Sequence, residues 1–186
     1  MMRLFIAIEV PADIEHIFSD AQNELKRTNA DIKWVDPKNI HLTLKFLGHV
    51  DDNKVPDIKM LMDNLAKNYH IFTSSLFKIG AFPDINYPRA IWIGVDKNCA
   101  LVEEIAKKLE EQLSTMGFQK EKRSYAAHFT LGRTRSEKNR DSLREKLTSI
   151  EITQAEFGIN SLTLFKSQLT PFGPTYTRIH TTGLKP

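Results

Sequence analysis

Two histidines in this chain are each followed, two residues on, by a threonine inside an apolar tetrapeptide: His41-Leu42-Thr43-Leu44 and His128-Phe129-Thr130-Leu131. Side chains alternate faces along an extended strand, so His41 and Thr43 share one face while Leu42 and Leu44 take the other. The same holds for His128 and Thr130 against Phe129 and Leu131. Imidazole exchanges protons near neutral pH, and a hydroxyl beside it can donate to an anionic oxygen. Presented twice, the pair supplies a proton acceptor, a proton donor and two anion-binding hydroxyls. That set suits displacement at phosphorus, with one imidazole on each side of the reacting atom. One such tetrapeptide is ordinary strand composition. The weight comes from the pairing: 87 residues separate His41 from His128, and 87 separate Thr43 from Thr130.

Hydrophobic periodicity supplies the elements that must position them. An apolar run over 4–10 reads as a strand stopped by Pro11. Ile14, Ile17, Phe18, Ala21 and Leu25 recur at helical spacing, predicting a helix over 13–27 with Asp13 as its N-cap. Lys33-Trp34-Val35 is a short extended piece and 36–39 a turn before the first motif strand, 40–48. A second helix carries Val55, Ile58, Leu61, Met62 and Leu65, and a strand follows over 72–82. The pattern then restarts: a strand over 90–95, a helix from Val102 to Met116 ended by Gly117, and the second motif strand over 127–134. A weaker helix capped by Ser136, a strand over 159–165, a loop over 169–174 and a last strand over 176–181 complete the chain.

The 87-residue offset also lays Phe5-Ile6-Ala7-Ile8 on Trp92-Ile93-Gly94-Val95, and Ser74-Ser75-Leu76 on Ser161-Leu162-Thr163. We therefore expect one α+β domain over 1–186, built from two copies of a β-α-β-β-α-β unit (roughly 1–86 and 87–186). Its two lobes are related by pseudo-two-fold symmetry, and both histidines face the cleft between them.

Bulk properties narrow the class. The 186 residues are 41% hydrophobic and 26% charged, ordinary for a globular chain, and the net charge is +3. The balance suits a phosphate-bearing ligand better than long nucleic-acid tracts. A single cysteine, Cys99, excludes an internal disulfide framework and a cysteine-based zinc cluster, and fits a reducing compartment. No apolar run is long enough for a membrane span, and the start of the chain does not read as a signal peptide. A cytoplasmic monomer is expected, with no cofactor and no metal, since no third ligand accompanies the histidines. His16, His49, His70 and His180 have no partner at the offset and are read as surface or helix-end residues.

Longer stretches carry a resemblance. Trp34-Val35-Asp36-Pro37-Lys38-Asn39-Ile40-His41-Leu42-Thr43-Leu44-Lys45-Phe46-Leu47-Gly48 resembles the first signature of the 2H phosphoesterases, specifically the LigT-like RNA 2′,3′-cyclic phosphodiesterases (the 2′-5′ RNA ligase family). His128-Phe129-Thr130-Leu131-Gly132-Arg133 resembles the second. Arg3–Ile8, Pro88–Gly94 and Ser167–Tyr176 add to the likeness, which covers nearly the whole chain. It implies a bilobal α+β fold, two lobes of antiparallel sheet plus helices around a central cleft. It also implies metal-independent hydrolysis of an RNA-terminal 2′,3′-cyclic phosphate to a 2′-phosphate. By the resemblance His41 is the proton donor to the leaving O3′ and His128 the acceptor from water, while Thr43 and Thr130 hold the phosphate. The family often has proline before the second histidine; Ala126-Ala127 stand here, which is expected to loosen the loop without removing activity.

Arg133 is a further phosphate or base contact by resemblance, although simple alternation puts it on the face opposite His128. A bulge at Gly132 would re-aim it. Tyr125 and Phe5 are candidates for stacking on a nucleobase, and Lys120, Lys122 and Arg123 for steering an RNA end. The expected partners are RNA 3′ ends, or nucleotides, bearing 2′,3′-cyclic phosphate. Two other readings stay open: a 2H relative acting on another cyclic phosphate or a 2′-5′ oligonucleotide, and an RNA-end binding or 2′-5′ joining protein.

Overall fold

The periodicities resolve into strands β1 (Met2–Glu9), β2 (Ile32–Trp34), β3 (His41–Val50), β4 (Phe72–Phe82), β5 (Ala90–Val95), β6 (His128–Thr134), β7 (Glu156–Ile159), β8 (Ser161–Thr170) and β9 (Gly173–Gly183). The helices are α1 (Glu15–Lys26), α2 (Val55–Ala66), α3 (Cys99–Thr115) and α4 (Arg140–Ser149). The structure is a computed structural model describing residues 1–171 and 173–186. Phe172, inside the Ser167–Tyr176 stretch, lies outside the described residues.

Four local expectations are corrected. Asp13 caps nothing: a 3-10 turn, Ala12–Ile14, starts directly after extended Pro11 and carries Asp13 within it. Ser136 does not cap α4. Its Oγ accepts from the Lys138 amide at 3.4 Å, and the helix begins after left-handed Asn139. The Asn139 side chain instead donates to the carbonyls of Thr28 and Asn29, tying α4 to the end of α1. The run 159–165 is two strands, because the chain changes partners at Asn160: β7 pairs with β4 and β8 with β1. The expected loop 169–174 is strand at both ends: Leu169 and Thr170 end β8 opposite Pro174 and Gly173 of β9, and Gly173 at φ +133° accepts a backbone conformation that L residues avoid.

The strands form one antiparallel array in the order β7-β4-β5-β6-β3-β1-β8-β9, with β2 on β6. At its middle β3 and β6 pair at one rung, Leu42 opposite Phe129. The array therefore divides into two lobes, β3-β1-β8-β9 and β6-β5-β4-β7. Each copy sends a long strand into the other lobe: β4 lies on β5, and β8 on β1. The layout is the bilobal α+β fold expected.

Equivalent rungs also show that a single offset does not hold. Glu9 opposes His41 as Gly94 opposes His128, an offset of 85 for the first strand. Phe165 opposes Phe5 as Phe82 opposes Ala90, an offset of 83 for the last. Only the motif strands keep 87. Every slip is even, so each side chain keeps its face, which is why a slipped alignment still looked regular.

Leu4, Ile6 and Ile8 on one face of β1 join Leu42, Phe129 and the inner faces of the helices in the main core. Phe5 and Ala7 on the other face pack with Phe165 and Tyr176 in a smaller cluster. That second cluster is the floor of the site.

Candidate active site

The rung between β3 and β6 places the motif residues. Leu42 and Phe129 are both fully buried and turn into the core. One residue to either side, the register sets His41 opposite Thr130 and Thr43 opposite His128, all on the other face. The histidines then occupy a diagonal, where Cα atoms are roughly 7–8 Å apart. Each ring then has a threonine beside it on the same strand and another opposite it.

Both rings are anchored alike. The Nδ1 of His41 lies 2.8 Å from the Asn39 carbonyl, and that of His128 lies 2.6 Å from the Ala126 carbonyl. A carbonyl only accepts, so each Nδ1 carries the hydrogen and each Nε2 is left to exchange protons. The Asn39 carbonyl is presented by the 3-10 turn Pro37–Asn39, which the Asp36 side chain caps at the Lys38 amide, 3.1 Å.

The surroundings of the two rings differ. His41 stacks on Phe5 at 4.7 Å between centroids and meets Tyr176 edge-on at 5.2 Å. His128 meets the edge of Phe82 at 5.0 Å, with Trp92 at 6.3 Å. Opposite His41 on β1 stands Glu9, held by Arg178 and by the Thr163 hydroxyl; opposite His128 stands Gly94. Burial holds both imidazoles below the ordinary histidine value and the carbonyl bonds oppose it; for His128 the Arg133 cation lowers it further.

Matching bulges re-aim the residues that follow. On β6, Thr130 opposes Trp92 and Gly132 opposes Ile91, leaving Leu131 as an extra residue. Parity flips, and Arg133 returns to the face of Thr130. The bulge expected to re-aim Arg133 is present, with Leu131 as its extra residue. The Leu131 carbonyl is satisfied by the Val35 amide at 2.9 Å and by buried Gln22 at 3.0 Å. Gly132 has its own reason: a Cβ there would lie 2.7 Å from Ile32 and 3.0 Å from the Trp34 ring, so β2 can approach only a glycine. On β3 the extra residue is Leu44, the same place in the other copy. Lys45 is thereby turned inward, 3% exposed, to pair with Glu110 at 2.8 Å, and Phe46 is turned onto the site face, 54% exposed.

Thr43, Phe46, Tyr125, His128, Thr130 and Arg133 line one cavity of about 520 Å³. His41 lines the adjoining cavity of about 560 Å³ with Asn39, Tyr176 and Arg178. The two cavities share no lining residue, and His41 and Thr43, two residues apart on β3, line one each. Phe5 is 2% exposed beneath His41, Phe165 and Tyr176, so it supports the imidazole and has no face for a base. Tyr125 donates its hydroxyl to the Thr43 carbonyl at 2.9 Å, and burial pushes its phenol up. The loop before β6 is held rather than loosened: Lys45 donates to the Gln119 carbonyl, Glu110 accepts from the Glu121 amide, and Tyr125 ties to β3. His180 is not a free surface residue but bonds Asp63 at 2.7 Å between β9 and α2. Among the described residues no cluster of three or more His, Cys, Asp or Glu side chains is placed to hold a metal, and no helix is long and apolar enough to cross a membrane.

Two successive segments, 8–92 and 93–176, match the family model described as LigT like Phosphoesterase. The chain belongs to the LigT-like phosphoesterase family. Curated relatives named RNA 2′,3′-cyclic phosphodiesterase include one from Methanocaldococcus jannaschii, 39% identical over 94% of this chain and 96% of its own. Another, from Methanothermobacter thermautotrophicus, is 33% identical over 95% of each. Among solved structures, apo E. coli LigT superposes with a TM-score of 0.80 at 24% identity, covering 100% of this chain and 98% of that one. A Thermus thermophilus protein, TT0787, gives 0.77 at 26% identity over 99% and 98%.

Within this LigT-like fold, the sequence marks Lys45 and Phe46 only as neighbours of the first motif, and it does not mark Gln22, which stands behind the site. Phe46 sits at the place in the first copy that Arg133 holds in the second. Gln22 reads only as part of a helix, and the pairing of Lys45 with Glu110 has no sequence signal. The signal for Phe46 was available in its equal spacing to Arg133, 87 residues; that for Gln22 was not, because its partners are backbone carbonyls far away in sequence.

Proposed function

We propose that this protein hydrolyses an RNA-terminal ribose 2′,3′-cyclic phosphate to a 2′-phosphate without a metal. The observation carrying the reading is the pair of matching Nδ1–carbonyl anchors on equivalent strands, which leaves the Nε2 of each ring free to exchange protons. His128 Nε2 takes a proton from water as the water oxygen bonds to phosphorus. The P–O3′ bond breaks, and O3′ takes a proton from His41 Nε2. One water is consumed, and proton exchange with solvent resets the pair. Thr43 and Thr130 donate to the non-bridging oxygens, and Arg133 adds its cation. The donor and acceptor roles follow the family resemblance. Arg133 supports them, since its charge favours the neutral form of His128.

The names of the curated relatives support the substrate class, as does the aromatic ring of Phe46 beside the phosphate-binding residues. A cytoplasmic setting fits the lone, unbridged Cys99. The experiment offers an oligoribonucleotide ending in 2′,3′-cyclic phosphate, in EDTA, and identifies the product isomer. A 2′-phosphate product formed in EDTA is expected. A 3′-phosphate product would reverse the bond assignment, loss of turnover in EDTA would end the metal-free mechanism, and binding without turnover would turn the protein into an RNA-end binder.

A further inference from the structure

Beyond Phe46 a second depression of about 640 Å³ opens, lined by Phe46, Gly48, Phe118, Lys120, Lys122 and Arg123. Phe46, Glu121 and Arg123 line both this depression and the catalytic cavity, so the two are continuous across the Phe46 ring. We propose that it is a subsite for the nucleotide on the 5′ side of the terminal one, so that the RNA strand leaves the catalytic cavity over Phe46. This rests on the proposed RNA-terminal substrate.

Charge chooses this exit over the other. Beside His41 the cavity wall carries Glu9 and Glu15 against Lys38 and Arg178, and Arg178 is already committed to Glu9. In the Phe46 depression Lys120, Lys122 and Arg123 are exposed and face one carboxylate, Glu121. Lys54 adds a further cation, held 5.5 Å over the Phe118 ring. A phosphodiester leaving the first exit meets balanced charge; one leaving the second meets an excess of cations. Two aromatic rings at the edge of a basic groove are also what single-stranded RNA uses, because every base has a stackable face. The bulge at Leu44 is what makes this surface: it turns Phe46 outward and Lys45 inward, and Lys45 then holds the Gln119 carbonyl at the root of the basic loop at 2.7 Å.

The test compares two products, a mononucleoside 2′-phosphate and a triribonucleotide ending in 2′-phosphate, by equilibrium binding. Wild-type protein should bind the trinucleotide on the order of ten-fold more tightly, with a steeper salt dependence. The Lys120→Ala, Lys122→Ala double variant should lose that gain while its affinity for the mononucleotide stays as in the wild type. Equal affinity of the wild type for the two ligands, or a gain that survives in the double variant, overturns the subsite. Turnover of the mononucleoside 2′,3′-cyclic phosphate is measured alongside; it tests the proposed reaction by itself, so either idea can fail without the other.

Discussion

Leu42 and Phe129 form the single rung joining the two motif strands, and they are equivalent residues of the two copies. The pseudo-two-fold axis therefore runs between them. The histidines and threonines of the proposed mechanism lie one residue to either side, on the face their buried side chains avoid. Their job is to fix the diagonal of the histidines.

That diagonal predicts symmetric losses. His41→Ala and His128→Ala should each lower kcat by on the order of 10²–10⁴ while far-UV circular dichroism is unchanged. Near-wild-type turnover by either variant would remove that histidine from the mechanism.

The threonines should cost less. Thr43→Val and Thr130→Val keep the shape of the side chain but withdraw one donor from an anionic oxygen, worth about 1.5–3 kcal/mol of transition-state stabilisation each. The kcat/KM ratio reads this directly. An unchanged ratio for both would leave the phosphate to Arg133 alone.

The pH profile follows from burial. The proposed mechanism needs one imidazole charged and one neutral in the free enzyme, and both are held below the ordinary value of 6.5. At neutral pH both are mainly uncharged and the proton donor is scarce. The kcat/KM profile should therefore be a bell centred below pH 6.5. A bound phosphate anion favours imidazolium, so the kcat profile should lie at higher pH than kcat/KM. A kcat/KM optimum above neutrality would contradict the burial of the pair. Stability has the matching sign: below pH 6.5 the unfolded chain takes up protons that the native rings resist, so acidification through that range destabilises the fold.

Two residues behind the proposed catalytic face should matter for stability. Gly132→Ala drives a methyl into Ile32 and Trp34 and should cost about 1–3 kcal/mol by denaturant titration. Gln22→Leu strips the side-chain donor from the carbonyls of Val35 and Leu131 and should cost about 1–3 kcal/mol. It should also lower kcat/KM, because the bulge that aims Arg133 loses its clamp; wild-type values of both quantities would show that the Val35 amide alone holds it.

The period-two alternation made β4 and β5 legible to the residue, and it put His41 with Thr43 and His128 with Thr130 correctly. It fails where the backbone departs from two-residue repetition. The bulges at Leu44 and Leu131 reverse the faces of Lys45, Phe46 and Arg133, and apolar patterning carries no mark of an extra residue whose neighbours are also apolar. Phe5 looked like a ring for a nucleobase because it does lie on the cleft face of β1; sequence cannot say that His41, Phe165 and Tyr176 cover it there. The common offset held for the motif strands and slipped by two and four residues in the others, since even slips leave hydrophobic alternation intact.

The exchanged strands β4 and β8 bear on ancestry. A chain of half this length, with one histidine-threonine strand, would leave its own last strand unpaired and its own first strand with an open edge. Each defect is cured by a second copy of the same chain. Duplication and fusion of such a self-complementary half would freeze an exchanged dimer into one polypeptide. Each motif would then be free to drift, and Phe46 and Arg133 stand at the matching place of the two.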